Sequence, residues 1–98
     1  MTPAEVLEKA AAIVEVRWCQ GTYGVLGGRR CALGAIAEVL EIFPTTSSAT
    51  EPAAELYFAI GTGKSVSRWN DDRRRTARSV ARKMRHVAAK LARKGGGQ

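Results

Sequence analysis

Three groups of residues have types and spacings that do chemistry in proteins. Gly61-Thr62-Gly63-Lys64-Ser65 ends like a phosphate-binding loop, in which backbone amides cradle phosphate and the lysine and hydroxyl complete the grip. The full pattern needs a glycine where Phe58 stands, together with a preceding strand and a remote acidic magnesium ligand. None accompanies it, so the segment reads as a glycine-rich helix junction whose Lys64 can still touch an anion. Cys19, Cys31 and His86 form the second group. They do not make a four-ligand zinc set, and the cysteines lack the paired spacing of a knuckle or ribbon. A thiol nucleophile would need a placed base and an orienting acid, which inventory alone does not supply. Two cysteines without a secretion signal read more economically as reduced thiols than as one bridge, with Cys31 a small buried side chain. No metal, cofactor or catalytic set is expected, and the chain reads as non-enzymatic.

The third group is the positive charge. The 98 residues carry 16 Lys and Arg against 9 Asp and Glu, a net +7. Residues 1–70 hold six basic and seven acidic side chains, whereas 71–98 hold ten basic and two acidic, so the excess lies wholly in the last segment. Such a surface attracts DNA or RNA phosphates, an acidic protein or anionic lipid, and counterion release favours a polyanion. A solvated helix face is the bland alternative. Arg78, Arg82 and Arg85 are the first phosphate-contact candidates, joined by Arg75, Lys83, Lys90 and Arg93 along the face. Tyr23, Tyr57 and Trp69 offer rings for stacking, although such residues more often sit in a core or at its boundary.

These side chains need elements to hold them. Thr2, Pro3 and Glu5 make a capping box that opens a helix running to about Trp18, with Val6, Ala10, Ile13 and Arg17 along one stripe. Four glycines between Cys19 and Arg30 favour a structured loop, with a short strand near Thr22–Leu26 as the other form. A second helix is expected from about Cys31 to Phe43, where Pro44 stops it. A third runs from Pro52 to Ile60, with Ser48 or Thr50 as its cap. Asn70 then caps a long final helix from Asp71 to about Lys94, with Asp71 and Asp72 at its positive end. Ala77, Val80, Met84, Val87 and Leu91 form its packing seam, and the basic side chains cover the opposite sides. The expected fold is therefore all-α: a compact single-domain bundle of about four helices over 1–94, ending in a long basic amphipathic helix and a Gly-rich tail at 95–98.

Trp18 with the glycine loop, Cys31-Ala32-Leu33-Gly34-Ala35-Ile36, and Trp69-Asn70-Asp71 with Thr76 and Val80 resemble a known signature. It is that of a family of small uncharacterised proteins and domains from actinobacteria and their bacteriophages. The resemblance spans about residues 14–91, implies no particular activity, and places a phage-encoded member in a host cytoplasm among host partners. Physically the signature reads as scaffold: Gly34 and Ala35 permit close approach of another helix or the loop, Cys31 is a small buried side chain, Trp69 covers a core edge, and Asn70 and Asp71 serve the next helix start. No apolar run approaches the ~20 residues of a membrane span, and the N-terminus does not resemble a secretory leader, so a cytoplasmic setting is the default. The reading is an interaction protein that binds nucleic acid through its last helix, with a modulator of a host protein bearing an acidic surface as the alternative. Oligomeric state stays open.

Overall fold

A computed structural model of the chain describes residues 1–25, 28–45 and 49–96, with side chains through Lys94. Five helices follow in order: α1 (Pro3–Arg17), α2 (Ala32–Val39), α3 (Glu51–Ile60), α4 (Val66–Asn70) and α5 (Ala77–Gly96). They form one all-α bundle. Among the described residues there is no strand: Trp18 and Gly24 each make an isolated bridge to Arg30, so the glycine segment is a loop, and Leu26 lies outside the described residues.

α1 and α5 are the main packed pair. Thr2 Oγ1 accepts from the Glu5 amide at 3.2 Å and the Glu5 carboxylate accepts from the Thr2 amide at 2.9 Å, which completes the expected capping box. Val6, Leu7, Ala10, Ala11 and Val14 are buried on α1, as are Val80, Ala81, Met84, Val87 and Ala88 on α5. A fully buried Leu7 or Met84 side chain is worth about 1.5–3 kcal/mol relative to exposure. Of the expected seam on the final helix, Val80, Met84 and Val87 are buried and Ala77 and Leu91 half-buried.

α2 fills the middle of the bundle, with every residue from Ala32 to Ala37 buried. It is shorter than its sequence suggests. The Ile42 amide donates to Ala37 O at 2.9 Å and the Glu41 amide to Glu38 O at 3.0 Å, closing the helix around a left-handed Glu41 at φ 61°. Pro44 disfavours helical backbone at Phe43, so the chain reverses before the apolar periodicity of Ile42 and Phe43 runs out. α3 begins with Glu51 and Pro52 after Thr50 and ends at a left-handed Gly61, close to expectation; Ser48, the other proposed cap, lies outside the described residues.

The largest departure is the break between α4 and α5. Ser65 caps α4 by accepting from the Arg68 amide at 3.1 Å, and α4 stops at Asn70. Asn70 is therefore no cap for the last helix, and Asp71 and Asp72 do not stand at its positive end. Asp72 instead accepts from the Arg74 amide at 2.9 Å, folding 71–76 into a turn. α5 starts only at Ala77, where Thr76 Oγ1 accepts from the Ser79 amide at 3.1 Å and Ser79 Oγ from the Thr76 amide at 2.9 Å. A local side-chain acceptor at Asp72 competes with the helical ladder, and the Thr76/Ser79 pair restarts it. At its other end α5 continues through Gly95 and Gly96, which the sequence assigns to the tail; Gly97 and Gln98 lie outside the described residues.

Candidate functional site

Asn70 is fully buried and ties three segments together. Its Oδ1 accepts from Trp18 Nε1 at 2.8 Å and from the Ala32 amide at 3.0 Å, while its Nδ2 donates to Cys19 O at 3.1 Å and to Asp71 Oδ1 at 3.0 Å. Asp71 also accepts from the Gly21 amide at 3.0 Å. Gln20 Nε2 reaches the Asn70 and Asp72 carbonyls at 3.0 and 2.9 Å. The Trp18, Asn70 and Asp71 signature is thus a polar lock on the glycine loop. Cys31 and Gly34 belong to the same lock. Cys31 Sγ accepts from the Gly34 amide at 3.4 Å at the start of α2, and a Cβ on Gly34 would meet Tyr23 O at 1.8 Å. Only glycine lets the loop backbone lie there. Both cysteines are free thiols, and burial pushes each thiol pKa up, which keeps them protonated and poorly nucleophilic.

Arg30 is a second organiser of the loop that the sequence alone does not expose. Its side chain is buried, with its guanidinium 3.8 Å above the Phe43 ring. Its Nη1 donates to the carbonyls of Val25, Gly28 and Arg29. Arg30 Nε lies 2.9 Å from Glu38 Oε1, an ion pair too bent to be a hydrogen bond. Glu38 holds Arg17 Nη2 at 2.7 Å through its other oxygen. One carboxylate therefore serves two guanidiniums. The one signal in the sequence is Glu38, an acid within an otherwise apolar α2.

The expected cationic face divides once its geometry is known. Arg85, placed among the solvated contacts by helical projection, is clamped to α1: Nη1 and Nη2 each lie 2.7 Å from the Glu15 carboxylate, and Nε lies 3.3 Å from Glu8. The projection shows which way Arg85 points but not the carboxylates waiting on α1. This clamp depresses the Glu15 carboxyl pKa and raises that of Arg85. Arg75 lies before α5 rather than on it, with its guanidinium 4.8 Å from the Trp69 ring and Nε donating to Trp69 O at 3.2 Å. Trp69 is buried and unavailable for stacking on a ligand. Arg73 and Arg74 are exposed in the turn.

Arg78, Arg82, Lys83, Lys90 and Arg93 remain. All but the half-buried Lys83 are exposed, and among the described residues none of the five has an ion-pair partner. Arg78 to Arg93 spans roughly 22 Å along the helix at ~1.5 Å per residue. Two shallow grooves flank this row on the α3 side. One, of about 420 Å³, is bordered by Thr62, Arg75, Arg82, Lys83 and His86. The other, of about 540 Å³, is bordered by Phe58, Glu55, Lys90, Arg93 and Lys94. Gly61–Ser65 joins α3 to α4, the helix junction expected of it, and leaves Lys64 exposed. Beyond Phe58 lies an apolar cleft of about 440 Å³ bordered by Tyr23, Leu33, Tyr57, Val66 and Ser67. Phe58 entered the sequence reading only as the residue that spoils a phosphate loop. Tyr57 and Phe58 are neighbours on α3 and both keep exposed surface, with their rings in edge contact.

The molecule is thus a small all-α domain with a locked glycine loop and a cationic face on its last helix, and no metal-ligand cluster is found among its described residues. No described helix is long and apolar enough to cross a membrane. The chain belongs to the family of unknown function DUF6197, whose model matches residues 1–90. No curated protein and no solved structure matches it.

Proposed function

We propose that the protein is a non-enzymatic interaction domain that binds nucleic acid through the outward face of α5. The observation that carries this reading is the contrast within one helix: Arg85 is paired with two glutamates of α1, while Arg78, Arg82, Lys83, Lys90 and Arg93 have no ion-pair partner among the described residues. A row of unpaired cations gains most from a ligand that carries regularly spaced charge and releases condensed counterions. The resemblance to actinobacterial and phage proteins supplies a setting, the host cytoplasm, and a competing partner, a host protein with an acidic surface.

The test is binding to DNA and RNA across a salt series, alongside a triple variant with Arg78, Arg82 and Lys83 each changed to Gln. The parent should bind at low salt with a steep log–log salt slope, and the variant should lose up to about three units of it, near 0.9 for each phosphate contact removed from a duplex. Absence of binding at low salt sinks the proposal. A stoichiometric protein captured from nuclease-treated host lysate, with no nucleic-acid affinity, would establish the host-protein reading instead.

A further inference from the structure

Charge alone does not distinguish a duplex from an unpaired strand; the surroundings of the row do. Phe58 is 74% exposed and Tyr23 and Tyr57 are 46% and 38% exposed, unusual for three rings in a domain with six aromatic residues. Phe58 borders both the groove that holds Lys90 and Arg93 and the apolar cleft lined by Tyr23 and Tyr57. The Tyr57 and Phe58 rings stand 5.5 Å apart at 74°, so two ring faces of different orientation are presented side by side. Ser65 and Ser67 add polar residues at the cleft. The cationic row therefore leads directly to a ring-lined, apolar recess.

We infer that the ligand of this face is an unpaired nucleic-acid strand, whose phosphates follow Arg82, Lys83, Lys90 and Arg93 while a base stacks on Phe58 at the mouth of the Tyr23/Tyr57 cleft. The inference rests on the proposed nucleic-acid function and narrows its substrate. In a duplex the faces of the bases are already covered by their neighbours, leaving only edges and phosphates to a protein. An unpaired strand offers faces to aromatic side chains, and such stacking tolerates any sequence because every base has a π-face. Glu55 at the groove disfavours a second phosphate beside Phe58 and leaves that position to an uncharged base. The charge on α5 excludes an apolar peptide as the natural occupant, since it would leave the cations without counter-charge.

The experiment compares four probes of about 12 nucleotides: oligo-dT, oligo-U, a duplex, and an abasic oligomer that keeps the phosphates and lacks the bases. Each is titrated against the parent, Phe58→Ala and Phe58→Trp, with thermal melting to verify folding; an exposed ring should leave melting unchanged. Oligo-dT or oligo-U should bind more tightly than duplex or abasic probe. Phe58→Ala should weaken binding of the unpaired oligomer about tenfold, Phe58→Trp should retain it, and the abasic affinity and salt slopes should not move. A preference between oligo-dT and oligo-U assigns the strand as DNA or RNA within the same inference. Equal affinity for duplex and unpaired strand, or indifference of the unpaired oligomer to Phe58→Ala, overturns this inference while the broader function stands. No binding to any probe at low salt overturns both.

Discussion

Arginine does opposite work on two sides of this molecule. Around the glycine loop, Arg17 and Arg30 share Glu38, and Arg30 spends its donors on three loop carbonyls while lying on Phe43. Along the outward face of α5, Arg78, Arg82 and Arg93 face solvent with no partner within the described chain. The difference is the local supply of acceptors: an irregular loop exposes carbonyls that a planar guanidinium can gather, whereas a helix interior offers none. Net charge cannot separate the two roles. Arg85 stands between them, on the binding helix but committed to α1.

The strongest way to break this contrast is to remove the buried partners. Asn70→Ala strands the Trp18 indole N–H, the Ala32 amide and the Cys19 carbonyl, and Arg30→Ala releases the loop carbonyls. Each should cost about 3 kcal/mol in urea unfolding. If Arg30→Ala instead leaves stability intact and lowers nucleic-acid affinity, the loop arginine belongs with the binding face. Next comes Gly34→Ala, whose added methyl must displace the Tyr23 backbone. A loss of about 2 kcal/mol in the same assay is expected.

Acid titration sharpens the contrast with a smaller effect. Paired side by side with the Arg74 guanidinium, the Asp72 carboxyl is lowered to about 2, and Arg85 lowers that of Glu15. Because both are depressed in the folded chain, their stabilisation is complete above the ordinary carboxylate range and disappears as pH falls through the folded values. Melting temperatures of Asp72→Asn and Glu15→Gln should therefore lie slightly below the parent at pH 6 and converge on it toward pH 2. Raised salt should shrink both differences. The smallest change belongs to Arg82→Ala, expected to stay within about 0.5 kcal/mol of the parent in urea unfolding. A larger loss would place Arg82 in the scaffold.

Elements whose signals are local were legible in the sequence. Thr2, Pro3 and Glu5 announce α1, and the Val80, Met84, Val87 repeat announces the buried side of α5. Gly34 was readable as a close-approach site because a residue without a Cβ in an apolar helix leaves room for neighbouring backbone. The α4–α5 break was not legible: Asn70-Asp71-Asp72 reads as a strong helix start, and only tertiary contacts with Trp18 and Ala32 claim the Asn70 side chain for the core. The pairing of Arg85 with Glu8 and Glu15 was not legible for the same reason, since periodicity describes one helix and its partners lie on another. Among the candidate binding residues, the row at Arg78, Arg82, Lys83, Lys90 and Arg93 was visible as composition, and Phe58 beside it only as geometry.

The Asn70 side chain also has a temporal meaning. Its bonds to Trp18 and Ala32 close intervals of 52 and 38 residues, so neither can form until α4 has been made and brought back to α1 and α2. Closing such long intervals costs entropy before any bond repays it. A nascent chain that has emerged only as far as α3 holds the Trp18 indole and the α2 start without their acceptor. The loop is thus locked only once α4 has been made, and α5, the helix proposed to meet the ligand, follows it.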